Sequence, residues 1–330
     1  MLPDGAHGVE VAGLERVVER LVGSEDGSLV GTVVLGVDDA NVARLCSAPM
    51  TTRVWVDTAA GTPVAAYDFG GHGGPLLFAH ATGFHAHLWL PVIEHLRDRF
   101  HCFAFDERGH GASPTPALGD FDWRHMGDDA RAVAAGFGLD QPGGVGHSAG
   151  AGLLTCAEQD HPRSWSSLWL YEPVIPDWPL PGPGDAEPEN PMISLALRRR
   201  ESFPSREDAY QNFAAKPPFN TFTPEALKLY VEHGFVNGPD GGVMLACSRA
   251  DEAATYRGAA HHGAWDRLGE VGIAALVVCG ASSDQMPGDL APAVASRLPR
   301  GSLEPMAGLG HFGPFESPAR VAASISAAFT

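Results

Sequence analysis

From about residue 53 onward, short apolar runs alternate with amphipathic stretches, and few folds accept that rhythm. RVWVD and TPVAAYDFG read as two strands joined by a turn at Gly61. PLLFAH (75–80), HCFAFD (101–106), GGVGHS (143–148), WSSLWLYEPV (165–174) and IAALVVCG (273–280) read as further strands. Between them, HLWLPVIEHLRDRF (87–100), WRHMGDDARAVAAGFG (123–138) and AGAGLLTCAEQDH carry helical period. Strands separated by helices of this length predict an α/β fold, a mostly parallel sheet with helices on both faces.

The rhythm breaks near residue 176, where DWPLPGPGDAEPENP is dense in Pro and Gly and helical pieces follow. It resumes with IAALVVCG, a helix near 288–298, a short strand at 302–306 and a last helix at 316–329. The simplest organisation is one α/β core, residues 51–175 and 266–330, interrupted by an insertion over 176–265. Residues 1–50 form an N-terminal extension. Val11, Leu14, Val18, Leu21 and Val22 predict a helix there, and LVGTVVLGV (29–37) a strand.

Composition narrows the function classes. The chain of 330 residues holds 22 Lys and Arg against 40 Asp and Glu, a formal charge of −18. Nucleic acids and anionic membrane surfaces are bound through basic patches, so neither is an expected partner. The five cysteines are far apart with no C-x-x-C pair, which fits a reducing compartment. The N-terminus lacks a basic region followed by an apolar one, and no run approaches 18 apolar residues. The expectation is a soluble, cytoplasmic globular protein.

Gly146-His147-Ser148-Ala149-Gly150 is a G-x-S-x-G pentapeptide between an apolar strand and a helix. A strand-to-helix turn this tight needs small neighbours and lifts the serine clear of the sheet edge, beside the donors of a helix N-terminus. Serine is a weak nucleophile at neutral pH and needs a base, and the base needs an orienting acid. In this arrangement chain order runs serine, acid, histidine. His311 follows SLEPM in GLGHFGP, and Asp284 follows IAALVVCG in GASSDQMP. Both stand just past predicted parallel strands, where open sheets build their sites. Asp289 is a weaker choice for the acid. His85 and His87, and the pair His261-His262, lack the spacing of a metal site, and no metal is expected.

LLFAHATGF (76–84), FDERGHGASP (105–114), GHSAG (146–150), GASSD (280–284) and GLGHFGPFESP (308–318) together resemble the α/β-hydrolase superfamily. The resemblance implies an eight-stranded sheet, a helical cap inserted after the sixth strand and a Ser148–His311–Asp284 triad. Some members carry the acid after the sixth strand, which here is Glu172, the alternative acid. The resemblance also implies an oxyanion hole from the backbone N–H of Ala149 and of Thr82, although Ala81 stands where many members have glycine. Asp106 and Arg108 resemble a structural turn of the family. Phe84, His147, Trp178 and Phe312 are candidates for the substrate pocket.

These readings converge on a serine hydrolase cleaving an ester or lactone of an uncharged, largely apolar compound, without cofactor. The same triad could serve C–C bond hydrolysis, thioesters, amides or perhydrolysis. A ligand-binding protein of low turnover is the reading from another class.

Overall fold

The structure is a computed structural model. It describes residues 51–178, 180–182, 190–283 and 287–330, together with two strands of the N-terminal zone. Residues 1–50 and 51–330 form separate compact units. In the first unit, β1 (Val17–Gly23) pairs antiparallel with β2 (Leu29–Gly36). The helix expected over 11–22 is therefore corrected, since residues 17–22 lie in a strand, while Val11 and Leu14 lie outside the described residues. Val17, Val18 and Val22 are β-branched, and a second valine-rich segment follows close behind to complete the ladder. Cross-strand pairing outweighs a weak helical period in so short a stretch.

The second unit is built on β3 (Thr52–Val56), β4 (Val64–Gly71), β5 (Gly74–Ala79), β6 (Phe100–Phe105), β7 (Gly143–His147) and β8 (Leu168–Tyr171). Three short strands of the insertion follow: β9 (Ser202–Phe203), β10 (Phe235–Asn237) and β11 (Val243–Leu245). Then come β12 (Ala275–Gly280) and β13 (Gly301–Met306). Eight strands make one sheet in the order β13-β12-β8-β7-β5-β6-β4-β3. The β3–β4 and β4–β6 pairs are antiparallel, and the other pairs are parallel. The expected eight-stranded, mostly parallel sheet is thus present, with its antiparallel part at one edge.

Helices cover both faces, because each central strand is apolar on both sides. In chain order the helices are α1 (Leu90–Ile93), α2 (Trp123–Gly136), α3 (Ala149–Asp160), α4 (Pro191–Arg198), α5 (Arg206–Ala214), α6 (Pro224–His233), α7 (Arg249–Gly258), α8 (Leu290–Arg297), α9 (Gly313–Glu316) and α10 (Pro318–Ala328). One core layer packs Trp123, Met126 and Val133 of α2 with Leu153 and Leu154 of α3 against Leu77, Phe105 and Val277. The opposite layer packs Trp89, Val92 and Ile93 with Val321 and Ile325 of α10 against Phe78, Val145 and Trp169.

The insertion enters after β8, the sixth strand of the large sheet, and leaves before β12. It holds α4 to α7 and a small antiparallel sheet ordered β10-β11-β9, so strands accompany the expected helices. Ser205, Thr223 and Ser248 cap α5, α6 and α7 by accepting backbone N–H bonds, which explains why the insertion divides into short helices. A third apolar cluster joins Phe213, Phe222, Leu227 and Tyr230 of the insertion to Ala81, Phe84, Leu88 and Phe315 of the core. Phe84 is its centre, with ring centroids 5.7 Å from Tyr230, 6.1 Å from Phe222 and 5.3 Å from Phe315. Among the described residues no helix is long and apolar enough to cross a membrane.

Candidate active site

Strand β7 runs straight into α3, and Ser148 is the joint. Its backbone lies at φ 56°, ψ −112°, a conformation a non-glycine residue adopts only where its surroundings enforce it. The surroundings leave no slack. A Cβ on Gly146 would meet the Cα of Ala151 at 2.5 Å, and one on Gly150 would meet the carbonyl oxygen of Ala79 at 2.4 Å. The two glycines let helix and strand approach, and that approach forces the serine outward. Ser148 and His311 line one cavity of about 710 Å³ at the C-terminal edge of the sheet.

His311 lies on the loop between β13 and α9. Its Nδ1 stands 2.6 Å from Oε2 of Glu172. Glu172 directly follows β8 and is only 3% exposed. Its Oε1 accepts the Gly280 N–H at 2.9 Å, and its Oε2 also accepts the Ser283 hydroxyl at 2.8 Å. Three donors therefore converge on one buried carboxylate, as an acceptor-only group requires. Glu172 has φ 42°, a second strained residue at the sheet edge. This geometry seats the alternative acid on the imidazole. Asp284, preferred from its loop position, lies outside the described residues. Because β8 neighbours β12, the long glutamate side chain reaches past Gly280 to the histidine loop. Spacing along the chain does not display that adjacency.

The N–H groups of Thr82 and Ala149 have no partner among the described residues. Both Thr82 and Ser148 border the cavity. The Ala81 carbonyl accepts from Nδ1 of His80 at 2.9 Å and from the Phe84 N–H at 3.1 Å. In a trans peptide N–H and C=O point oppositely, so pinning the Ala81 carbonyl turns the Thr82 N–H the other way. His80 is locked in turn, its Nε2 accepting the Glu107 N–H at 2.9 Å. His80 lies in LLFAHATGF and Ser283 in GASSD, but the motifs assign neither its role, since both act through side-chain contacts with distant or backbone partners.

Of the pocket candidates, Phe84, Trp178 and Phe312 line the cavity. His147 does not: it is fully buried, and its Nε2 donates to the His311 carbonyl at 2.9 Å. Burial, reinforced by the neighbouring His311, holds its pKa well below the usual imidazole value. It is a neutral strut for the His311 loop. The wall also includes Trp123, Tyr256 and Trp265, which no motif marks. Asp177 and Asp289 border the cavity as exposed residues, and no Lys or Arg does among the described lining. Asp289 is thus at the cavity edge rather than on the histidine. His85 is buried and His87 stacks on His233 at 3.8 Å, while His262 stacks on Trp123 at 5.1 Å. Among the described residues no group of His, Cys, Asp or Glu is placed to hold a metal ion.

The turn after β6 is structural, as expected. Asp106 accepts the N–H of Ala86 and of Ala112 and the Tyr67 hydroxyl, all at 2.8 Å. Arg108 forks onto both oxygens of Asp129 at 2.8 Å.

A strained serine between strand and helix, a histidine backed by a buried carboxylate and a cavity over both define a hydrolase-fold enzyme. Residues 74–318 match the family model described as alpha/beta hydrolase fold, and the chain belongs to that family. It is 32% identical over 120 residues to the abhydrolase domain-containing protein AFT2-1 of Alternaria alternata, a match covering 34% of this chain and 43% of that relative. The chain therefore spans less than half the length of that curated relative. It is also 32% identical over 194 residues to the 2-(acetamidomethylene)succinate hydrolase of Mesorhizobium japonicum, covering 57% of this chain and 64% of that one. A crystal structure of E-2-(acetamidomethylene)succinate hydrolase superposes with a TM-score of 0.72 at 22% identity, covering 84% of this chain and 99% of the other.

Proposed function

We propose that this chain is a serine hydrolase that cleaves an ester or lactone of an uncharged, largely apolar small molecule. Ser148 attacks the carbonyl carbon while Nε2 of His311 takes its proton. The C–O bond to the leaving alcohol then breaks as His311 returns that proton to it. Water, activated by the same nitrogen, releases the acid and regenerates the serine. Glu172 holds Nδ1 and stabilises the imidazolium. The N–H groups of Thr82 and Ala149 receive the oxyanion, and such donors supply several kcal/mol of transition-state stabilisation, about 3 for one donor.

The observation that carries this reading is the bond from His311 to buried Glu172 beneath an aromatic cavity that Ser148 also lines. The wall chemistry supports an uncharged substrate. A succinate, as in the name of the curated relative, carries carboxylates that need cationic partners. The described wall here offers two aspartates and no Lys or Arg. The reading is tested with a fluorophosphonate probe and a panel of neutral p-nitrophenyl esters. The expected result is labelling of Ser148 and turnover, both lost in Ser148→Ala. Labelling that persists in Ser148→Ala would refute it.

A further inference from the structure

Behind the loop that carries Thr82 lies a buried polar cluster contributed wholly by the insertion. Arg199, which directly follows α4, bonds Oε2 of Glu252 on α7 at 2.5 Å and the hydroxyl of Tyr230 on α6. The Glu252 and Tyr230 side chains are buried, and the Arg199 side chain is 20% exposed. Burial works against the Arg199 charge, but Tyr230 and Glu252 hold it protonated. The cluster lies close over one residue of the core and leaves little room for a side chain there. A Cβ added to Gly83 would lie 3.1 Å from Oε1 of Glu252 and 3.3 Å from Nη1 of Arg199. Gly83 has φ 81°, follows Thr82 directly and closes the turn in which the Phe84 N–H bonds the Ala81 carbonyl.

We propose that Arg199 is a positioning residue: gripped by Glu252 and Tyr230, it braces the Gly83 turn and so holds the Thr82 N–H in place toward the cavity. The inference rests on the hydrolase reading above and assigns to the insertion a part in transition-state stabilisation as well as in pocket formation. A buried ion pair contributes little net stability compared with apolar side chains of equal volume, so cohesion alone does not account for it. A guanidinium does offer a planar, rigid fork that fixes two partners at defined angles. Here the partners come from two helices, and one end of the fork, Nη1, lies beside Gly83 of the core turn. The His80 side chain fixes the same loop from the core side. The loop is thus held between a neutral imidazole and a charged cap residue.

The test compares wild type, Arg199→Met and Arg199→Lys as full-length proteins, with Tm recorded for each. The measurements are kcat and KM on one neutral p-nitrophenyl ester, affinity for a trifluoromethyl ketone that adds Ser148 to give an oxyanion, and affinity for the matching secondary alcohol, which cannot. Losing an oxyanion donor outright costs roughly 10²–10³ in rate, so misplacing one predicts a kcat loss of about 10- to 100-fold in Arg199→Met. Ketone affinity should fall by a similar factor, while KM and alcohol affinity stay within about two-fold. Arg199→Lys should recover part of the loss. Glu252→Gln and Tyr230→Phe, each removing one tether, should show the same split more weakly and serve if Arg199→Met does not fold. Unchanged kcat and ketone affinity would overturn the proposal, as would equal losses for ketone and alcohol, which a merely structural role produces. A wild type that neither labels at Ser148 nor turns over esters would instead overturn the hydrolase reading, and this one with it.

Discussion

At the scale of single residues, the acid is the point on which chain position and geometry part. Asp284 recommends itself by standing on a loop after a parallel strand. Glu172 stands at the end of its own strand and holds the histidine at 2.6 Å. Their substitution separates the two. Glu172→Gln keeps the shape but loses the charge that stabilises the imidazolium and the tautomer it selects, and should lower kcat by roughly 10⁴. Asp284→Asn should lower it by less than about ten-fold. Ester kinetics on the two purified variants decide, and the opposite ranking would return the acid to the later loop. A second residue-level expectation concerns His147. Its replacement by Phe keeps ring packing but leaves the His311 carbonyl without its donor. An unpaired buried acceptor costs about 1–3 kcal/mol, so unfolding by denaturant should show a loss of that order with the m-value unchanged.

Among the elements, the strand–turn–helix joint was legible because only small residues permit it. Gly146 and Gly150 have no room for a Cβ, and Gly150→Val should give little folded protein on expression. The insertion was legible as a break in rhythm and, through the family resemblance, as a helical cap. Its residues Trp178, Met192 and Tyr256 contribute to the wall of the cavity that Ser148 lines, so it should govern chain-length selection. Each buried methylene contributes about 0.8 kcal/mol, so kcat/KM across p-nitrophenyl esters should climb up to about four-fold per carbon and then drop when the cavity is full. Trp178→Ala should move the maximum toward longer chains. A profile flat from acetate to decanoate would assign selection to elements outside this cavity.

For the whole molecule, burial of histidines sets the response to acid. His80, His85 and His147 are held well below the usual imidazole value, His110 and His262 at about 4 and His87 at about 3, in each case chiefly by desolvation. These groups are neutral in the folded chain but take up protons near 6.5 when it unfolds. Their contribution is present above that pH and is lost as pH falls toward 4. Burial raises Asp106 and Asp129 to about 6 and Glu107 further, which works in the opposite sense. The histidines outnumber these carboxyls, and each unmatched proton is worth about 1.4 kcal/mol per pH unit. Thermal unfolding followed by circular dichroism should show Tm falling steadily between pH 6.5 and 4.5. A Tm unchanged over that interval would contradict this balance.

The alternation of strands and helices, the serine turn, the histidine loop and the break at residue 176 were all present in the sequence, because each depends on residues adjacent along the chain. Period, small side chains and Pro-rich punctuation are local causes with local effects. The N-terminal strand over Val17–Gly23 was not legible, since its choice between helix and strand rests on a partner segment. Nor were the seating of Glu172 on His311, the bond from the Glu107 N–H to His80 or the bonds of Arg199 to Glu252 and Tyr230. Each joins residues that only strand order and the folding-back of the insertion bring together. Such hydrogen bonds act over about 3 Å, and one chain satisfies them only once its tertiary structure has fixed which edges are neighbours.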